Sequence, residues 1–180
     1  MAVKKKIESR GRKPRDLAYA TNLGHMFLNR AEDGLETLLA KGYQNSIQLI
    51  FTSPPFPLLR KKKYGNYQGK EYLDWIASFG ERFRELLQPK GSLVIEIGNT
   101  WERGSPTMST LPMEALMALK EAGGFHLCQE IICHNPARLP SPAQWVNVER
   151  IRLKDSFTRL WWLSKTERPK ADNRNVLQSY

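Results

Sequence analysis

Ser53-Pro54-Pro55-Phe56 ends the apolar run at residues 47–52 and concentrates the groups in this chain best suited to chemistry. Proline fixes its own φ and restricts the residue before it, so Ser53-Pro54-Pro55 is a stiff, extended segment. Its carbonyls point in set directions, and its prolines bring no N–H to pair with them. The result is a rigid platform of acceptors. Such a platform suits an exocyclic amine on a nucleobase, which is a poor nucleophile because its lone pair is delocalised into the ring. With the Ser53 hydroxyl and the Pro54 carbonyl each accepting one N–H, the nitrogen is drawn toward tetrahedral geometry and its lone pair is freed to attack a methyl group in line. Phe56 offers the base an aromatic surface, which offsets part of the cost of unstacking it from a duplex.

The basic residues follow the same logic. Arg60, Lys61, Lys62 and Lys63 come directly after this loop. A loop that accompanies an extruded base must pass the phosphate backbone, so these four side chains read as DNA contacts, with an ordinary solvated face as the alternative. Near the start, Arg10-Gly11-Arg12-Lys13-Pro14 resembles an AT-hook, an extended element that lies in a narrow minor groove. A solvated tail without a target is the other reading of Arg10 and Arg12.

Several elements must hold these residues in place. The pattern predicts a strand at 25–29, then a helix opening near Asp33 through Leu35, Leu38 and Leu39 and stopping at Gly42. The strand at 47–52 carries Ser53 at its carboxyl end. Next comes one helix whose Tyr72, Ile76, Phe79, Phe83 and Leu86 share a face. Pro89-Lys90-Gly91 turns the chain into a strand at 92–97, which places Glu96 at the end of a neighbouring strand. A third helix has Ser109 or Thr110 as its cap and Pro112 in its first turn, and it ends at Gly123-Gly124. A strand at 125–133, a long excursion over 135–155 and a last strand at 157–164 complete the chain. Strands alternating with helices imply parallel crossovers. The class is therefore α/β and Rossmann-like, a mostly parallel sheet with flanking helices and an antiparallel edge at the end. In such sheets ligands gather beyond the carboxyl ends of the strands, where Ser53 stands.

Composition agrees with an anionic partner. The net charge is +10 over 180 residues, of which 41% are hydrophobic, enough for one domain with a core. Residues 1–20 read as a basic disordered arm and 21–180 as the folded part. No apolar run reaches membrane-spanning length and no secretory signal is present, so the expected location is the cytoplasm. Cys128 and Cys133 read as free thiols. With His126 and His134 they fit no usual zinc spacing, and no metal is expected. Trp145, Trp161 and Trp162 read as structural.

Thr52-Ser53-Pro54-Pro55-Phe56 resembles the catalytic motif of the S-adenosylmethionine-dependent DNA amino-methyltransferases, in the Ser-Pro-Pro-Tyr/Phe form typical of the N4-cytosine enzymes. The stretches NPARLPSPAQWVN from Asn135 and RLKDSFTRLWWLSKTERPKADNRNVL from Arg152 resemble the members whose motifs are permuted (β-class), with the catalytic half ahead of the cofactor half. The resemblance implies a methyltransferase fold and S-adenosylmethionine as cofactor. It further implies double-stranded DNA as substrate and methyl transfer to cytosine N4 in restriction-modification or phage DNA protection, with adenine N6 as the alternative. It makes Ser53, Pro54, Pro55 and Phe56 the target-amine platform and base stack. Glu96 becomes the acid that orients the amine or the Ser53 hydroxyl, or else an ordinary strand-end carboxylate. Asp33 stands where the family has Gly-Asp at the adenine of the cofactor; here the pair is Glu32-Asp33, and a helix N-cap is the alternative for Asp33.

The family also binds the methionine end of its cofactor with a Phe-x-Gly-x-Gly loop, and these 180 residues contain none. The resemblance thus covers the catalytic half of a methyltransferase. A split enzyme completed by a second chain carrying that loop and a target-recognition domain, a truncated DNA-binding relic, and a fragment of a longer gene all fit this reading. In each case the chain alone is expected to bind S-adenosylmethionine weakly or not at all and to expose an unpaired strand edge.

Overall fold

The computed structural model describes residues 15–56 and 67–176. Strands β1 (Arg15–Thr21) and β2 (Gly24–Leu28) form an antiparallel hairpin that is a separate two-stranded sheet. Helix α1 (Ala31–Ala40) leads to β3 (Ile47–Thr52), and the helices α2 (Gly69–Ala77) and α3 (Gly80–Leu86) lead to β4 (Leu87–Glu96). Helix α4 (Leu111–Gly123), β5 (His126–His134) and β6 (Phe157–Ser164) follow. The main sheet has the order β3-β4-β6-β5. The β3–β4 ladder is parallel, and β6 runs antiparallel to both of its neighbours, so β3, β4 and β5 share one direction.

Three sequence expectations are corrected. The antiparallel strand lies inside the sheet between β4 and β5, and the edge on that side is β5. A short connection from α4 lets β5 run alongside β4's direction, and the long excursion then returns β6 into the gap, where Trp161 and Leu163 reach the core. The strand predicted at 25–29 belongs to the hairpin instead of the main sheet, because Thr21-Asn22-Leu23-Gly24 forms a tight turn in which the Thr21 hydroxyl accepts the N–H groups of Leu23 and Gly24. Residues 15–20, expected as part of the arm, are therefore paired; the remainder of the arm, with Arg10 and Arg12, lies outside the described residues.

The core forms where helices α2, α3 and α4 cover one face of the sheet. Leu93, Ile95 and Leu163 from the strands are fully buried, as are Ala115 and Leu119 of α4. The five residues predicted to share a face, Tyr72, Ile76, Phe79, Phe83 and Leu86, are all buried, but the single helix predicted for them is broken at Ser78-Phe79. The break lets Gly80 touch the end of α4: a Cβ there would sit 2.6 Å from the Gly123 amide nitrogen. Tyr72, Trp75, Phe79 and Phe83 make a run of neighbouring aromatic rings along this layer, with centroid separations of 5.7, 5.1 and 5.6 Å.

Pro89-Lys90-Gly91 interrupts the ladder as predicted for a turn. Ile47 pairs with Leu87 but Leu49 pairs with Ser92, so β4 makes a loop of extra residues between two register positions. Gly91 is needed there, since a Cβ would stand 3.0 Å from the Ile47 carbonyl oxygen. The predicted start and stop of α4 hold: Thr110 is its N-cap residue, Pro112 lies in its first turn, and Gly124 ends it with φ of 57°. Among the described residues no helix is long and apolar enough to cross a membrane.

Candidate functional site

The parallel pairing of β3 with β4 brings together the two groups singled out at strand ends. Thr52 is in register with Ile95, so Ser53 and Glu96 are the next positions along adjacent co-directional strands. Ser53 is exposed and Glu96 half-buried, which leaves both accessible from the carboxyl-end side of the sheet. Pro54 is half-buried and Pro55 exposed. Phe56 turns back toward the sheet, and its ring edge rests on Gly98 just past the end of β4. A Cβ on Gly98 would come within 2.7 Å of the ring, so any larger residue would displace Phe56.

A recess of about 200 Å³ opens beside this segment, lined by Ser53, Pro54 and Pro55 on one side and by Trp75, Phe79 and Phe83 on the other. Its walls are largely aromatic and aliphatic, and Thr52 and Ser53 are the hydroxyl-bearing residues that line it. Ala31 at the start of α1 also lines it, so α1 stands next to the Ser-Pro-Pro segment although Ala31 precedes Ser53 by 22 positions. That closeness is fixed by Glu32, whose carboxylate accepts the indole N–H of Trp75 at 2.9 Å and a guanidinium N–H of Arg30 at 3.3 Å. Partial burial pushes the Glu32 carboxyl up, but the bonds from Trp75, its own backbone N–H and Arg30 together outweigh it and hold the group below the usual carboxylate range. Glu32 is thereby committed to the fold. Its neighbour Asp33 is exposed in the first turn of α1, so it is not the helix cap; Arg30 holds that position. In the pair Glu32-Asp33, one carboxylate is locked and the other faces solvent.

A second polar cluster, which the sequence did not reveal, braces the same end of the sheet. Asn99 donates to Asp155 at 3.0 Å and accepts from Arg159 at 3.2 Å, while the Arg159 guanidinium pairs with Glu130 at 3.0 Å. The Arg152 guanidinium stacks on the ring of Trp101, 3.2 Å from its centroid. Lys154 donates to the Pro136 carbonyl at 2.8 Å, and Arg138 donates to the Phe157 carbonyl at 2.7 Å. The Asn99–Asp155 and Arg152–Trp101 contacts tie the 135–155 excursion to the loop after β4, while the Lys154 bond closes the excursion on itself and the Arg138 bond joins it to β6. Separations of 56 to 60 residues hid the contacts of Asn99; the only signal was the resemblance of Lys154-Asp155 to the family.

Other candidates fall into structural roles. Trp161 is buried in the core, and Trp162 donates its indole N–H to the Ser92 hydroxyl at 2.9 Å. Lys165 donates to the Asn45 side chain and to the Leu87 carbonyl, and burial together with nearby Arg84 pushes its ammonium pKa down. Burial raises the Cys128 thiol pKa, and Cys133 is exposed. Among the described residues no three His, Cys, Asp or Glu side chains gather to hold a metal ion. Arg60, Lys61, Lys62 and Lys63 lie outside the described residues.

Comparison with known proteins accounts for this arrangement. Residues 47–180 match the family described as DNA methylase. The chain is 42% identical over 170 residues to the type II methyltransferase M.PvuII of Proteus hauseri, a match that covers 94% of this chain and 48% of that protein. Its backbone superposes on the solved PvuII DNA methyltransferase (cytosine-N4-specific) with a TM-score of 0.78 at 40% identity, covering 90% of this chain and 56% of the other. The fold recurs more distantly in the M1.HpyAVI–SAM complex, with a TM-score of 0.55 at 19% identity, covering 86% of this chain and 59% of that one. The chain thus spans about half the length of the relatives it matches. On a match that takes in β3, the Ser-Pro-Pro-Phe segment and every element after them, the chain belongs to the DNA methylase family.

Proposed function

We infer that this chain is the catalytic half of an S-adenosylmethionine-dependent DNA methyltransferase that modifies cytosine N4 in double-stranded DNA, in restriction-modification or in protection of phage DNA. The observation that carries the reading is the placement of Ser53-Pro54-Pro55 beside Glu96 at the carboxyl ends of two parallel strands, opening on an aromatic recess.

Ser53 and the Pro54 carbonyl accept the two N–H groups of a flipped cytosine, which localises the amine lone pair. Glu96 orients the amine or the Ser53 hydroxyl from the adjoining strand end. Phe56, seated on Gly98, supports the base. The amine proton becomes acidic only after the nitrogen has acquired its new bond, so no strong general base is required. Arg60 to Lys63, and Arg10 with Arg12, supply phosphate and minor-groove contacts, consistent with a net charge of +10.

The residues present fit one part of the cofactor. Asp33 offers an exposed carboxylate suited to the adenosine end, and the recess of about 200 Å³ beside Ser53 is small and largely apolar. When bound, S-adenosylmethionine supplies a methyl sulfonium as the electrophile. The remaining contacts come from a partner half that carries a Phe-x-Gly-x-Gly loop and a target-recognition domain, a motif these 180 residues do not contain. DNA as substrate puts the assembled enzyme in the cytoplasm.

The test is radiolabelled methyl transfer to DNA by the chain combined with such a partner half. Ser53→Ala is expected to lower the rate about 10²- to 10³-fold, the scale set by removal of one positioned polar group at a reacting centre. Equal, measurable rates for Ser53→Ala and the parent would remove the role given to Ser53, and no transfer by the parent would leave the non-catalytic DNA-binding reading in its place.

A further inference from the structure

We propose that Leu153 is the wedge that enters the duplex when the target base leaves it, filling the vacated place in the stack with a cation on either side. This rests on the reading of the chain as the catalytic half of a DNA methyltransferase that acts on a flipped base.

Leu153 stands at the end of the sheet that carries the candidate site. β6 runs antiparallel to β4, and Glu96 is in register with Leu160, so the residues just before β6 lie where Ser53 and Glu96 stand. Residues 152–155 are fastened there at both ends. The Arg152 guanidinium stacks on Trp101, and Asp155 accepts from Asn99 at 3.0 Å. Both partners belong to the loop after β4, whose Gly98 seats Phe56. Between them, the Lys154 ammonium is held by the Pro136 carbonyl at 2.8 Å.

Among these fastened neighbours Leu153 is 89% exposed. A single leucine on a surface is ordinary, because much of any protein surface is apolar. Here, however, the head groups of Arg152, Lys154 and Asp155 are all spent on holding the segment in place. The chain enters it through Arg150, whose φ of 57° is a left-handed conformation that is costly for a residue with a side chain. The Ile151 amide then donates to the Trp145 carbonyl at 3.0 Å. The fold thus holds an apolar side chain in water on a fixed base. Such a base suits a wedge, since little of the binding energy is lost in ordering the chain that carries it.

The residue types select DNA as the occupant. Arg150-Ile151-Arg152-Leu153-Lys154 alternates cations with apolar side chains and contains no acid. Protein contacts are depleted of lysine at their centre, whereas elements that open a duplex set an apolar side chain among arginine and lysine. The net charge of +10 favours the same partner. Leu139 gives the contrast. It is 81% exposed on the same excursion, but Pro140 follows it, and Arg138 is fastened to the Phe157 carbonyl of β6 instead of the loop beside Phe56.

The experiment measures binding of the 180-residue chain, by fluorescence anisotropy at low salt, to two duplexes of one sequence, one intact and one with a single abasic site. An abasic site has no base to expel, so a wedge enters it at less cost. The parent is expected to bind the abasic duplex about tenfold more tightly than the intact one. Leu153→Ser is expected to lose that preference but to keep its affinity for the intact duplex and its salt dependence, because no charge changes. Leu153→Met, which keeps the apolar bulk, and Leu139→Ser are expected to retain the preference. Equal binding of the two duplexes by the parent, binding to neither, a preference untouched by Leu153→Ser, or an equal loss in Leu139→Ser overturns the proposal. So does a Leu153→Ser variant altered only in self-association by light scattering, which would make the residue a protein contact. Methyl transfer with the partner half is measured in parallel. An abasic preference without methyl transfer by the parent keeps the wedge and removes the catalytic reading, whereas methyl transfer by a parent with no such preference removes the wedge alone.

Discussion

At the scale of single residues, two adjacent carboxylates stand in different surroundings. Glu32 is committed to Trp75 and Arg30, whereas Asp33 is exposed. The Glu32 pKa is lowered in the fold, so the unfolded chain takes up that proton first as pH falls; the stabilisation is fully present above the ordinary value of 4.5 and is lost below it. Acid denaturation of Glu32→Gln, followed by circular dichroism, is therefore expected to be shallower than that of the parent below about pH 4.5, while at pH 7 the variant is less stable. Trp75→Phe keeps the ring in the aromatic run but removes the bond. A loss of about 1 kcal/mol at pH 7 is expected in urea titrations, and little further effect when combined with Glu32→Gln, because both changes delete one interaction. The strand-end places of Ser53 and Glu96 could be read beforehand because an apolar run closed by prolines or by glycine is a local signal. Glu32–Trp75 could not, since nothing in a sequence marks which of two neighbouring acids will meet an indole 43 residues away.

At the scale of elements, the strands and helices that carry the site were readable from periodicity and punctuation, and the sheet order was not. Proline at the start of α4, glycine at its end and the apolar face of α2–α3 are local signals. Insertion of β6 between β4 and β5 is a long-range pairing, decided by which strand buries Trp161 and Leu163. The break at Ser78-Phe79 was unreadable for a similar reason, because the cause lies at the end of α4, where Gly80 and Gly123 meet. This contact leaves no room for a methyl group: Cβ atoms would fall 2.6 Å from backbone at Gly80 and 2.1 Å from the Phe125 ring at Gly123. Gly80→Ala is expected to cost about 1–3 kcal/mol by overpacking. Gly34 gives the contrast. It lies inside α1 with nothing within 4 Å of its Cβ position, so Gly34→Ala is expected to raise stability by about 0.5–1 kcal/mol through helix propensity. Thermal unfolding of both variants measures the two signs side by side, and a loss at Gly34 equal to that at Gly80 would show that α1 is packed more tightly than its open surroundings indicate.

At the scale of the whole molecule, two properties oppose each other. Among the described residues β3 pairs on one side only, and this edge, which carries no charge and no proline, favours adhesion, while a net charge of +10 keeps copies of the chain apart. The repulsion acts over a Debye length, about 30 Å at 0.01 M salt and about 3 Å at 1 M, whereas the burial of Leu49 and Phe51 is not screened and strengthens slightly in salting-out ions. The isolated chain is therefore expected to stay dispersed at low ionic strength and to associate without fixed stoichiometry as salt is added. This is the reverse of what an interface held by ion pairs would do. Sedimentation velocity across that salt range follows the effect directly, and Leu49→Lys with Phe51→Asp separates the two causes. The pair of substitutions leaves the net charge unchanged, since one adds a positive and the other a negative charge, so any gain in dispersion at 1 M salt must come from the strand edge. If the double variant associates as readily as the parent, the adhesive surface lies elsewhere, with the exposed Leu17 and Tyr19 of the hairpin as the next residues to change.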